Sequence, residues 1–225
     1  MYNKQGTTSV GISSCSPLVK VSGTEVRANA ETEAARSVII HAGKMVAEGS
    51  IFYADATSAD SVGIENNAEL IFNSGNVTGT HSGLYTGQNS KTYITGGTFS
   101  SCSYGGIYFG HGPNGEAYIE NATIECKECT GNHTHNMYGG FFIDSTTATS
   151  AYLNNCTIRG GDNAFVLGNS NKVYISNSNI GNNTIMITDN LSKLFIGKGC
   201  NFNASNTDRE SSVTITEDVY VKNEN

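Results

Sequence analysis

Apolar and polar residues alternate along this chain in short runs that return at intervals. A phrase of two apolar positions flanking one variable residue, then a polar residue, a bend and a second apolar stretch, begins at Val19 (VKVSGTEV), Val38 (VIIHAGKM), Leu70 (LIFNSGNV), Thr92 (TYITGGTF) and Ala117 (AYIENATI). It returns at Ala151 (AYLNNCTI), Val173 (VYISNSNI), Leu194 (LFIGKGCNF, one residue longer) and Val213 (VTITEDVY). The starts lie 19, 32, 22, 25, 34, 22, 21 and 19 residues apart. Self-similarity near 20 residues marks a solenoid, in which each unit buries its apolar face against its neighbours. Within a unit the period is two, rich in β-branched and aromatic residues and bounded by Gly, Asn and Ser, which predicts strands. One segment differs: AETEAARSV, Ala30 to Val38, predicts a helical turn or a cap.

Between phrases a second apolar run returns as SGLYTG, GGIYFG, GGFFID, NAFVLG and TIMITD. One turn of chain therefore holds about three short strands. The predicted fold is all-β, a single-stranded parallel β-helix of about nine coils over residues 19–221, with an N-terminal cap at 1–18 and a tail at 222–225. At ~4.8 Å per coil the rod is roughly 40 Å long. Positions one and three of the phrase share a face, so Val38/Ile40, Leu70/Phe72, Ala117/Ile119, Ala151/Leu153, Val173/Ile175 and Leu194/Ile196 are the predicted core. Asn121, Asn155 and Asn177 then share one bend, where asparagine tolerates left-handed backbone and its amide can stack along the axis. Gly23, Ser74 and Gly96 hold that bend in other coils.

Coil length, the asparagine bend and the apolar rhythm from Val19 to Val221 resemble the pectin-lyase-like superfamily of right-handed parallel β-helices. The resemblance implies a right-handed coil and a scaffold, not an activity. Relatives that cleave polygalacturonate carry acidic clusters holding calcium with a basic residue as proton acceptor, or several aspartates in adjacent coils with a Gly-His-Gly element. Gly110-His111-Gly112 reproduces the tripeptide, but it follows the strand GIYF and opens the turn GHGPNG, with no aspartate pair a coil earlier. The best catalytic grouping is His111 with Asp144 and Glu120. A hydrolase needs two carboxylates about 5–9.5 Å apart, and Asp144 with Glu120 is the one pair to nominate. Glu120 stands between Thr95 and Asn154 where paired acids are expected, so a polysaccharide lyase or glycoside hydrolase is the rival reading rather than the lead.

Composition narrows the partners. The net charge is −7, with 13 Lys and Arg of which four are Arg, which argues against nucleic acid and anionic membrane, since both need clustered cations. Charged residues make up 15%, leaving solubility to Ser, Thr, Asn and Gly, as on extracellular, cell-surface or virion-surface proteins. No apolar run approaches the ~18 residues of a membrane span, and MYNKQGTTSV lacks a signal-peptide core. Seven Asn-x-Ser/Thr sequons occur, at Asn76, Asn121, Asn132, Asn155, Asn182, Asn190 and Asn203, about what so much Asn, Ser and Thr produces by chance.

With positions one and three inward, position two faces out as Ile39, Ile71, Tyr93, Tyr118, Tyr152, Tyr174 and Phe195. Position four gives His41, Asn73, Thr95, Glu120, Asn154 and Ser176, and the residue before the phrase gives Glu69, Lys91, Glu116, Ser150, Lys172 and Lys193. Sugars stack apolar faces on aromatic rings and hydrogen-bond to carboxylates and amides, so Tyr93, Tyr118, Tyr152, Tyr174 and Phe195 with Glu120 and Asn154 form a candidate carbohydrate site. The competing readings are a ladder in which rings stabilise each other across coils, at roughly 0.2–1 kcal/mol per pair, and a patch covered by a second copy in a homo-oligomer. The sequence thus predicts an extracellular or surface recognition module, adhesin-like and carbohydrate-binding. A structural stalk or fibre segment is the third reading.

The longest coil places Cys126, Cys129, His133 and His135 within ten residues. Two thiols and two imidazoles suffice for tetrahedral zinc; a Cys126–Cys129 disulfide, or free thiols beside unrelated loop histidines, is the alternative. Cys156 and Cys200 occupy matching core-side positions two coils apart, too far to bond, and read as buried small hydrophobes.

Overall fold

The computed structural model describes residues 8–31, 33–56, 61–110, 115–127, 139–143, 149–160, 163–168, 170–181, 184–189, 191–202 and 213–215. The chain winds as a right-handed parallel β-helix with three faces. Among the described residues sheet 1 stacks nine strands: Leu18–Ser22, Lys44–Glu48, Glu69–Phe72, Lys91–Ile94, Glu116–Glu120, Ser150–Asn154, Lys172–Ser176, Lys193–Ile196 and Val213–Ile215. Sheet 2 stacks eight, from Glu25–Ala30 through Ser50–Ala56, Gly75–Gly79, Gly97–Ser101, Ala122–Cys126, Thr157–Arg159 and Asn179–Gly181 to Asn201–Phe202. Sheet 3 also stacks eight: Thr8–Ser14, Ala34–Ile40, Ser61–Asn66, Ser82–Thr86, Gly105–Phe109, Gly139–Ile143, Asn163–Leu167 and Thr184–Ile187. Among the described residues no helix is long and apolar enough to cross a membrane.

The predicted alternation holds in sheet 1. Leu70, Phe72, Ala117, Ile119, Ala151, Leu153, Val173, Ile175 and Leu194 are fully buried, and Ile196 nearly so. Burying such a side chain contributes about 1.5–3 kcal/mol. The core is continuous along the axis because aromatic side chains from different faces meet in it: Phe72 of sheet 1 touches Phe52 and Phe99 of sheet 2, at centroid distances of 6.3 and 4.9 Å.

Two expectations are corrected. Val38 does not begin a sheet 1 phrase. Met45 does, pairing in register with Val19 and Leu70, while Val38 and Ile40 fill the core from sheet 3, where they pair with Ile12 and Ile64 and with Ser14 and Asn66. Ile39 and His41 accordingly leave the sheet 1 rows, and Val46 and Glu48 enter them. The second correction is the helical turn, since Ala34–Ile40 is a strand. Helix propensity loses there because small side chains are needed: Ala35 packs into a buried cluster with Ala28, Ala30, Ala54 and Ala56, where sheets 2 and 3 approach each other.

The bend between sheets 1 and 2 is held as predicted. Gly23, Gly49, Asn121, Asn155 and Asn177 all have left-handed backbone, with φ of 56°, 58°, 53°, 52° and 48°. In the Ser74 and Gly96 coils the positive φ falls one residue later, at Gly75 and Gly97. The amide of Asn155 donates to Oδ1 of Asn121 at 2.7 Å, and that of Asn121 to the Thr95 carbonyl at 3.3 Å. Asn177 leaves the column and donates sideways to Oδ1 of Asn154 at 2.9 Å.

Candidate functional site

On the outer face of sheet 1, Val46, Ile71, Tyr93, Tyr118, Tyr152, Tyr174, Phe195 and Thr214 follow each other in register. Stacking is continuous through the aromatic members. Ring centroids lie 5.7 Å apart for Tyr93 and Tyr118, 5.0 Å for Tyr118 and Tyr152, 4.9 Å for Tyr152 and Tyr174, and 4.7 Å for Tyr174 and Phe195, with planes within 8° of parallel. The ~4.8 Å coil spacing imposes this, because identical rotamers one coil apart must meet face to face. A pyranose stacks on a ring face, and here every face inside the row is covered by the next ring. Solvent meets ring edges and hydroxyls. Removal of water by the neighbouring rings pushes the phenols of Tyr118 and Tyr152 above their ordinary range; nearby Glu116 adds to both.

The polar rows beside the ladder are also engaged internally. Lys44 Nζ lies 2.8 Å from Glu69, the first pair of the column Lys44, Glu69, Lys91 and Glu116. Asn154 Oδ1 accepts both the Ser176 hydroxyl, at 3.1 Å, and the Asn177 amide. Glu120 is half-buried and pairs in register with Asn154. Its proposed companions His111 and Asp144 lie outside the described residues.

Of the predicted zinc set, Cys126 is described and is disulfide-bonded; Cys129, His133 and His135 lie outside the described residues. Cys156 is buried, and desolvation pushes its thiol up to about 11; it donates to the Asn154 carbonyl at 3.3 Å. Cys200 is half-buried, with its thiol also raised by desolvation.

Sheet 3 carries a second outward row that sequence reasoning passed over: Glu65, Tyr85, Tyr108, Phe142, Val166 and Met186, in register. Its signal was present in SGLYTG, GGIYFG and GGFFID, runs read only as a further strand in each coil. This row does not close into a uniform stack. Tyr108 lies face to face with Phe142, at 4.8 Å and 9°, but Tyr85 meets Tyr108 edge-on, at 5.3 Å and 69°. Two rings so steeply inclined make a corner. Into it opens a cavity of about 280 Å³ lined by Arg36, Val62, Glu65, His81, Tyr85 and Tyr108.

The polar side of the cavity is fixed by specific bonds. Arg36 Nε donates to Glu65 Oε2 at 2.9 Å, and the Asn67 amide donates to Glu65 Oε1 at 2.9 Å. The side chains of this ion pair are 15% and 23% exposed, so the pair is shielded yet reachable. His81 stacks on Tyr104 at 3.9 Å, and its Nδ1 lies 2.9 Å from the Ser82 hydroxyl. Apart from His81, every lining residue sits on a strand of sheet 3, so the geometry is set by coil stacking before any ligand arrives. Compared with known proteins, the chain matches no family model, no curated protein and no solved structure.

Proposed function

We propose that the chain is a surface or extracellular β-helix recognition module of pectin-lyase-like type, and that it binds carbohydrate in the sheet 3 cavity. The carrying observation is the aromatic corner of Tyr85 and Tyr108 facing the Arg36–Glu65 pair. A concave, preformed site that joins aromatic surface to a few oriented polar groups has the composition that sugar recognition requires. The tyrosine row on sheet 1 is the stiffener of the rod in this reading. Its closed faces also favour a second reading, a structural stalk, in which neither row meets a ligand.

The test is a glycan array followed by a cleavage assay on the hits. Binding without turnover, lost in Tyr85→Ala and retained when Tyr118 and Tyr152 are both replaced by Ser, supports the recognition module. Turnover of any hit would replace it with an enzyme, and absence of every hit would leave the stalk.

A further inference from the structure

The cavity's size and charge balance say more about the ligand than that it is a sugar. A cavity of about 280 Å³ has room for one pyranose ring with its hydroxyls and a few bridging waters. Among the described residues the row does not extend the concavity along the axis: Tyr108, Phe142 and Val166 are buried in one cluster, with Tyr108 stacked on Phe142, so Tyr108 closes the cavity and half-buried Tyr85 supplies its more accessible ring. Along the described part of this row a polymer therefore finds no continuing cleft.

Charge excludes a further class. Arg36 and Glu65 neutralise each other across 2.9 Å, and Asn67 occupies the second carboxylate oxygen. A uronate entering here would compete with Glu65 for the guanidinium while facing the Glu65 carboxylate, and limited exposure means that water screens this repulsion poorly. A cationic amino sugar meets the mirror-image conflict with Arg36. A neutral sugar hydroxyl meets neither, since one O–H can donate to a carboxylate and accept from a guanidinium without breaking the pair.

We infer that the sheet 3 cavity takes a single neutral sugar residue, a chain end or side branch, rather than a stretch of acidic polymer. The inference rests on the carbohydrate reading of this cavity. The test is competition by free glucose, galactose, mannose, N-acetylglucosamine and galacturonate against an array hit, into the high millimolar range, with melting curves confirming that each variant is folded. At least one neutral monosaccharide should displace the hit, galacturonate should be at least about tenfold weaker, and Glu65→Gln should narrow that gap by removing the opposing carboxylate. If an oligosaccharide binds with affinity that depends on Tyr85 but no monosaccharide competes, or galacturonate competes as well as the neutral sugars, the single-residue inference fails while the binding site stands. If no saccharide binds and Tyr85→Ala changes nothing, both fail together.

Discussion

Tyr118 and Tyr152 lie one coil apart with ring centroids separated by 5.0 Å and planes 8° from parallel. Each ring therefore buries its neighbour's face, and the pair works as a fastening between coils. Replacing both by Ser should lower stability by about 1–2 kcal/mol and the melting temperature by about 3–8 °C, with no change in affinity for any glycan bound by the wild type. Unchanged melting with lost binding would reassign this row to the ligand.

Gly106 sits where sheet 3 approaches sheet 2. A Cβ there would meet the Phe99 carbonyl oxygen at 2.6 Å and the Glu125 nitrogen at 2.7 Å, both backbone atoms held in a ladder. Gly106→Ala should cost about 1–3 kcal/mol by overpacking. Gly49→Asn should be nearly neutral, although Gly49 has φ of 58°, because its Cβ would meet open space and asparagine already holds the same bend at Asn121 and Asn155. Thermal melting of the two variants checks both; equal losses would show that backbone conformation, not close approach, governs these glycines.

The inward positions were legible in the sequence because burial repeats with period two: Leu70 with Phe72 and Ile119 with Leu153 could face only the core. Met45 was missed because Val38-Ile39-Ile40 carries the same apolar signature, and nothing local says which of three sheets a strand joins. Register is set by the turns at Gly43 and Gly49, both at positive φ. The sheet 3 cavity was illegible for a different reason. Arg36, Val62, Tyr85 and Tyr108 come from four successive coils, and the contrast between the stacked sheet 1 row and the tilted Tyr85–Tyr108 pair is a matter of ring orientation, which residue types do not reveal.

Asp189 holds the turn before the Lys193–Ile196 strand. Burial raises its carboxyl, but hydrogen bonds from the Ser192 hydroxyl and the N–H groups of Ser192, Leu191 and Ser170 outweigh that and bring it below its ordinary value. A depressed carboxyl stabilises the fold above the unfolded-state value near pH ~4 and loses that contribution as the pH falls through the folded one. Asp189→Ala should therefore cost roughly 1 kcal/mol at pH 7, and the gap from the wild type should shrink below about pH 4. A gap independent of pH would show that the charge is not what holds the turn.

Thiol chemistry should separate the cysteines. Cys15 is exposed and free, whereas the Cys156 thiol is buried and pushed up to about 11, and the thiolate is the reactive form. Iodoacetamide at pH 8 should alkylate Cys15 in the folded protein and Cys156 only after denaturation, as read by peptide mass mapping. Rapid labelling of Cys156 in the native state would contradict its place in the core.

Whether the sheet 3 cavity is the ligand site is decided most directly by an NMR titration of isotope-labelled protein with a glycan-array hit, following aromatic side-chain resonances. The expected result is that Tyr85, Tyr108 and His81 shift in proportion to occupancy while Tyr118, Tyr152 and Tyr174 do not move. Shifts confined to the sheet 1 tyrosines, with Tyr85 and Tyr108 unperturbed at saturation, would contradict it.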